Sequence, residues 1–159
     1  QVSMNFYDDD NVSYTITVDP SSSIKSYNTM TSSTVTGSNI DNDTAAIIVG
    51  AKSGNTSEFG TTATINVTLA TIPTANVSIV VTDNDSAEVS ITPTPLTITP
   101  STWNTTNQVT LTGQDDSDND GNITFRISFG NATSTDSKYN GMAPSPAFVD
   151  VINVDDYED

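Results

Sequence analysis

The stretch QDDSDNDGN at residues 114–122 lies between two segments with the pattern of β-strands. Residues 108–112 (QVTLT) precede it and residues 123–129 (ITFRISF) follow it, and both alternate apolar and polar residues with the period of a half-buried strand. The carboxylates between them repel one another unless a cation binds them, so the stretch predicts either a cation-binding loop or a solvated acidic loop. A helix-loop-helix calcium hand is excluded. If its twelve-residue loop began at Asp116, Ile127 would stand at the twelfth position, where a bidentate Glu is required.

The same pattern occurs a second time in the chain. Residues 11–18 (NVSYTITV) match residues 122–129 (NITFRISF) position by position. Two shorter matches follow in the same order: SYNTM at 26–30 with KYNGM at 138–142, and NID at 39–41 with NVD at 153–155. An internal repeat of this size predicts tandem β-domains. Residues 1–41 are therefore predicted to be the C-terminal strands of a preceding β-sandwich repeat, and residues 42–159 a complete repeat.

The spacing of the strand patterns predicts the fold class. Residues 62–69 alternate cleanly, with Ala63, Ile65, Val67 and Leu69 on the inward set, and residues 76–82 do the same. Short strands separated by turn signals recur along the chain without any helical periodicity, which is typical of a Greek-key β-sandwich. We therefore predict an all-β protein built from tandem β-sandwich repeats.

Composition excludes several classes of function. The net charge is −16, with 17 Asp, 3 Glu and four basic residues, so direct nucleic-acid binding is not expected. The chain has no Cys and no His, which removes disulfides, thiol chemistry and imidazole bases, and no enzymatic role is predicted. No apolar run is long enough for direct membrane insertion. The excess of Asp over Glu favours turns and cation ligands over helices.

Asn-x-Ser/Thr triplets occur nine times and predict an exported, glycan-bearing surface. The alternative is that a chain rich in Thr and Asn produces such triplets by composition alone. The candidate glycosylation sites are Asn11, Asn42, Asn55, Asn66, Asn76, Asn84, Asn104, Asn122 and Asn131.

The order of these segments resembles a known family. The run PLTITPSTWNTTNQVTLTGQDD at residues 95–116, followed by DGNITFRIS, SKYNGM and VINVDD, resembles the Calx-β-like repeats of large bacterial surface proteins and adhesins, over residues 42–156. The resemblance implies an immunoglobulin-like Greek-key sandwich whose acidic loops bind Ca²⁺ near the end of the domain. The sequence departs from the family at Asn84 and Ser86, which bears on a multi-ion cluster and not on a single site. By position, the implied ligands are Glu58, Asp83, Asp85, Asp115, Asp116, Asp155 and Asp156.

Further carboxylates lie where one repeat passes into the next. Alternate strand connections of a sandwich come to the same end, so several acidic groups can converge there. A calcium ion would cancel their repulsion and stiffen the junction, and a solvated acidic surface is the alternative. The additional candidate ligands are Asp8, Asp9, Asp41, Asp43, Asp118 and Asp120.

These observations predict a structural repeat module of an extracellular, cell-surface filament or adhesin stalk. The expected partners are neighbouring repeats or identical subunits in a fibre, together with glycans. The alternative is a carbohydrate- or ligand-binding β-sandwich of a secreted protein. Trp103 is expected to pack on the core rather than stack on a sugar, and Tyr27 and Tyr139 to pack a loop onto the sandwich.

The first strands of the chain cannot bury a core by themselves. Their inward side chains, Tyr14, Ile16 and Val18, would lie exposed if left alone. We therefore expect a sandwich completed from outside this segment, by an upstream repeat of the same polypeptide or by a donated strand from a neighbouring subunit.

Overall fold

A computed structural model describes residues 5–21, 23–24, 27, 30–115 and 120–155. The chain divides into two compact units, Gln1–Asp43 and Thr44–Asp159. In the described residues both units are built from β-strands, and no helix occurs among them. The prediction of an all-β protein is confirmed.

The first unit is a two-stranded antiparallel hairpin of β1 (Val12–Val18) and β2 (Ser33–Asn39). Val12 pairs with Asn39 at one end of the ladder and Val18 with Ser33 at the other. Period-2 alternation gives the hairpin two unlike faces, because directly paired residues point to the same side. One face carries Val12, Tyr14, Ile16, Val18 and Val35, and the other carries only Ser and Thr. The apolar face is exposed in the described part of the chain.

Among its described residues, the second unit contains ten strands. They are β3 (Ile47–Lys52), β4 (Thr56–Ser57), β5 (Thr62–Leu69), β6 (Val77–Ile79), β7 (Val81–Asp83), β8 (Val89–Thr92), β9 (Leu96–Ile98), β10 (Asn107–Gly113), β11 (Ile123–Phe129) and β12 (Phe148–Val154). One four-stranded sheet has the order β3-β5-β10-β8, and a second has the order β4-β12-β11-β7. The strands β6 and β9 form a separate antiparallel pair. The arrangement is consistent with a β-sandwich.

One apolar core joins the two four-stranded sheets. The predicted inward set of β5 is buried along its whole length, from Ala63 to Leu69, while Asn66 on the alternate set is exposed. From the other sheet, Phe125, Ile127 and Val151 enter the same core. The alternation seen in the sequence therefore marks the buried faces correctly.

The segment predicted as one strand over residues 76–82 is divided in two. Its first part, β6, pairs with β9, and its second part, β7, pairs with β11. Val80, between the two parts, is exposed. The side chain of Thr94 occupies the backbone groups that a continuous ladder would have used: its Oγ1 donates to the carbonyl oxygen of Val81 at 2.8 Å and accepts from the Val81 amide at 3.2 Å. The segment thus changes sheets at Val80.

Two predicted packing residues lie against the core. Trp103 is partly buried against the core cluster, and its carbonyl accepts from the Leu69 amide at 2.7 Å, which confirms its packing role. Tyr139 is fully buried, and its hydroxyl donates to the Thr71 carbonyl at 2.8 Å and accepts from the Thr71 amide at 3.1 Å. The prediction for Tyr139 is confirmed. Tyr27, its counterpart in the first unit, is exposed, so the same prediction for Tyr27 does not hold within this chain.

Candidate functional site

Two carboxylates are buried at one end of the second unit. Glu58 follows β4 and is 5% exposed, and Glu88 precedes β8 and is 4% exposed. The Glu58 amide donates to the Val154 carbonyl at 3.0 Å, which places this residue beside the end of β12. Buried carboxylates are rare unless they are paired or bind a metal, because desolvating a charge is costly. These two residues therefore mark the acidic end of the sandwich as a candidate site.

Asn153 in β12 connects Glu88 to the neighbouring sheet. Its side chain is 1% exposed, and its Nδ2 donates to Glu88 Oε2 at 3.0 Å and to the Gln114 carbonyl at 3.1 Å. Among the described residues, its Oδ1 has no hydrogen-bond partner. A buried amide oxygen without a partner is uncommon and is costly, so a further donor or a cation at this oxygen would stabilise the fold.

Gly113 at the end of β10 makes room for this arrangement. A Cβ atom at position 113 would lie 2.5 Å from Asn153 Oδ1 and closer still to the carbonyl oxygen of Ser57. The Gly113 amide donates to the Thr61 carbonyl at 3.2 Å, so the backbone itself is fixed. Close approach of β10 to β4 and β12 therefore requires glycine here.

The loop that enters β11 is fastened to the end of β12 by two hydrogen bonds. Gly121, at φ +77°, donates from its amide to Asp155 Oδ2 at 2.8 Å. The Asp155 amide donates to Asn122 Oδ1 at 3.1 Å. A carboxylate that accepts from the backbone in this way closes the base of the β11–β12 hairpin beside the buried acidic residues.

The first unit contains the same fastening. The amide of Asp10, at φ +62°, donates to Asp41 Oδ2 at 2.9 Å, and the Asp41 amide donates to Asn11 Oδ1 at 2.8 Å. Asp9 also donates from its amide to Asp41 Oδ2, at 3.0 Å. Asp43 donates from its amide to Asp41 Oδ1 at 3.0 Å. The carboxylate of Asp41 thus accepts from the backbone amides of Asp9 and Asp43 at the base of the β1–β2 hairpin.

The other predicted ligands are distributed as follows. Asp8, Asp83 and Asp85 are half-buried, and Asp115 and Asp120 are exposed. Asp85 lies close to Glu88 along the chain, and its carbonyl accepts from the Glu88 amide at 3.3 Å. Asp116, Asp118 and Asp156 lie outside the described residues. Within the part of the chain that the structure describes, no three acidic side chains form a group that could hold a metal ion.

All nine predicted glycosylation sites are exposed. Asn66 lies on the outward set of β5 and Asn76 directly precedes β6, so both side chains are accessible. The amide oxygens of several of the nine accept hydrogen bonds, as Asn84 Oδ1 does from the Arg126 amide at 2.5 Å. Every predicted position therefore lies at the solvent-exposed surface of the described chain.

Several features of the site have no counterpart in the sequence-based prediction. Glu88 and Asn153 were not among the predicted ligands, although two signals pointed to them. Glu88 is one of three Glu in a chain with 17 Asp, and Asn153 stands in the inward set of β12, two residues after Val151. A polar residue on a buried set is the pattern that predicts a buried polar contact.

An ion pair on the outer face of β11 and β12 was also not predicted. Arg126 and Asp150 are directly paired across the strands, with Nε to Oδ1 at 2.7 Å, and the guanidinium lies 3.8 Å from the centre of the Phe148 ring. The hydrogen bond from Arg126 lowers the pKa of Asp150, and the same bond raises the pKa of Arg126. Both groups are solvent-exposed, so this pair is a surface feature that screening weakens.

Comparison of the chain with known protein families, with curated proteins and with solved structures finds no match. Among the described residues, no helix combines the length and the apolar character needed to cross a membrane.

Proposed function

We propose that this chain is a structural repeat module of an extracellular filament or adhesin stalk, built from tandem immunoglobulin-like sandwiches, stiffened by Ca²⁺ at acidic loops and N-glycosylated. The observation that carries the proposal is that the same kind of β-hairpin, closed by the same hydrogen bonds, occurs in both units. The β1–β2 and β11–β12 hairpins share strand register, with Val12 opposite Asn39 and Ile123 opposite Asn153. They also share the Asp-to-amide fastening at their base.

The repetition supports a structural role because it concerns the scaffold. The two hairpins share their strand register and the hydrogen bonds that close their base. The side chains on their outer faces differ, since the second unit has the Arg126–Asp150 pair where the first unit has Thr15 and Thr36. Modules that repeat a framework and vary the surface are typical of linear arrays, in which each repeat contacts its neighbours.

Buried oxygen atoms at the acidic end support calcium as the ion in this proposal. Ca²⁺ takes six to eight oxygen ligands from carboxylates, carbonyls and amides. Glu58, Glu88 and the unpartnered Asn153 Oδ1 supply such oxygens in a buried setting, and Asp155 lies two residues after Asn153. A bound ion would supply positive charge where the net charge of the chain is −16 and would satisfy the amide oxygen.

The exposure of all nine sequon asparagines supports the glycoprotein part of the proposal. Glycans at such positions cover outward strand faces and loops and leave the core unchanged, because Asn66 alternates with the buried Ile65 and Val67. A stalk with this surface would be hydrated and shielded along its length.

Thermal unfolding with Ca²⁺ and with a chelator tests the proposal. At a Ca²⁺ concentration about a hundredfold above Kd, linkage stabilises the folded state by about 2.7 kcal/mol, which is roughly 10 °C for a unit of this size. The Glu88→Gln variant should lose most of this shift, because it removes an anionic oxygen from the site. Asp150→Asn is the matched control: it removes an exposed carboxylate and should keep the shift. An identical melting curve in Ca²⁺ and in chelator would refute calcium binding.

A further inference from the structure

The β1–β2 hairpin presents an apolar face that nothing in the described part of the chain buries. Tyr14, Ile16 and Val18 are 51%, 55% and 60% exposed, and Val35 beside them is 64% exposed. The opposite face consists of Ser and Thr on both strands. A hairpin with one largely apolar face, on which Ser33 and Asn39 are the polar residues, has the pattern of a sheet that packs against another layer, and contiguous apolar surface of this kind marks an interaction site.

The β11–β12 hairpin shows what such a face contacts. By register, Tyr14 and Ile16 correspond to Phe125 and Ile127, which are 1% and 0% exposed. In the second unit these side chains belong to the same core cluster as the aliphatic residues of β5 and β10 in the facing sheet. The apolar face of this hairpin is therefore buried in the second unit, where a facing sheet covers it, whereas the equivalent face in the first unit is exposed.

The course of the chain into the hairpin is also shared. In the second unit the chain leaves β10 of the facing sheet and enters β11 through Gly121 and Asn122. Gly121 has a positive φ and donates from its amide to the Asp155 carboxylate, and the side-chain oxygen of Asn122 accepts from the Asp155 amide. Asp10 and Asn11 reproduce that approach to β1, with Asp41 in the place of Asp155. The approach to the first hairpin is thus built like a connection from a facing sheet.

We propose that the apolar face of the β1–β2 hairpin is the docking surface for a four-stranded sheet of the same build as β3-β5-β10-β8, carried by a further repeat of this polypeptide joined ahead of the hairpin. This inference rests on the proposed tandem array. An intact second copy of this chain cannot offer its β3-β5-β10-β8 sheet to this face, because that sheet is already covered by β11 and β12. The docked sheet would continue the packing that the second unit displays.

An extended chain tests the proposal: residues 44–120 are placed directly ahead of Asp10, so that Asp10 takes the place of Gly121 in the added repeat. Amide hydrogen exchange of β1 and β2 is then measured by NMR in the extended and the original chain. Exchange at Tyr14 and Ile16 should slow by about a hundredfold or more, towards the rates of β11, because the hairpin becomes part of a cooperative core. The control is the same extended chain with Val67→Asp and Val109→Asp in the added copy alone, which should leave β1 and β2 unprotected.

Each outcome decides the question. Unchanged exchange in β1 beside a folded added copy overturns the proposal, and so does an added segment that stays unfolded, because the hairpin is then not its complement. Protection of β1 in the original chain that grows with concentration, together with a dimer in sedimentation, would show that a second copy is the occupant and would also overturn it. The exchange is measured with and without Ca²⁺: hairpin protection in both conditions upholds docking even where the calcium-dependent melting shift of the proposed function is absent.

Discussion

Substituting Gly113 by Ala should destabilise the second unit through a steric clash at the acidic end. The added Cβ would lie 2.5 Å from Asn153 Oδ1 and closer to the Ser57 carbonyl oxygen, which is a backbone atom and cannot rotate away. Overpacking of this kind costs about 1–3 kcal/mol, and the backbone contact places Gly113→Ala near the upper end, at about 3 kcal/mol. With an unfolding entropy of roughly 2.1 cal/mol/K per residue, that corresponds to a fall in Tm of about 12 °C.

Scanning calorimetry measures this effect against a matched glycine. Gly54→Ala is the control, because a Cβ there meets nothing within 4 Å and its φ is not positive. It should change the free energy of unfolding by less than about 0.5 kcal/mol. Gly113→Ala should also reduce the stabilisation by Ca²⁺, since any shift that relieves the clash moves Asn153. If the two variants melt within about 2 °C of each other, the steric account of Gly113 is wrong.

Three further outcomes are expected. Tyr139→Phe should cost about 1–3 kcal/mol in urea unfolding, because it removes the hydroxyl that satisfies the buried amide and carbonyl of Thr71; an unchanged midpoint would contradict this. In a carboxyl NMR titration Asp150 should have a pKa below 3.8 that returns towards 3.8 in Arg126→Gln, and the stabilisation from this pair should be present above pH 3.8 and be lost as the pH falls through the lowered pKa; equal pKa values in the two proteins would count against it. Mass spectrometry of protein from its natural source should find glycans on sequon asparagines, and nine unmodified sites would remove the glycoprotein proposal.

The strands could be predicted from the sequence because the alternation of side chains along a strand depends only on neighbouring residues. In β5 and β11 the alternation of side chains fixes which residues face the core, and burial follows it from Ala63 to Leu69 and from Phe125 to Phe129. The division of residues 76–82 at Val80 could not be predicted in this way. At this division the side chain of Thr94, from another part of the sequence, binds the backbone of Val81, and local alternation carries no signal of that contact.

The acidic positions were predicted from composition, but the centre of the site was not. Clustering of Asp marks loops where carboxylates concentrate, and in the first unit the Asp41 carboxylate binds the backbone amides of Asp9 and Asp43. Glu88 and Asn153 are buried where the end of β12 meets β4 and the residue that follows β10, and these contacts join distant parts of the sequence. A single sequence carries only the indirect signal of a polar residue in an inward set.

Asn39 and Asn153, which occupy equivalent positions in the two units, connect the proposed calcium binding with the proposed sheet docking. Asn39 stands in β2 where Asn153 stands in β12, opposite Val12 as Asn153 is opposite Ile123. Asn153 is buried because the facing sheet supplies the Gln114 carbonyl and Gly113 beside it, whereas Asn39 is exposed. The further repeat that carries the docked sheet would bring its own equivalents of Glu58 and Glu88 to Asn39, the first after the strand equivalent to β4 and the second ahead of the strand equivalent to β8. Sheet docking would then raise the calcium affinity of the first unit, because docking brings together the oxygen ligands that the ion needs, and by linkage a bound ion would strengthen docking that already forms without it.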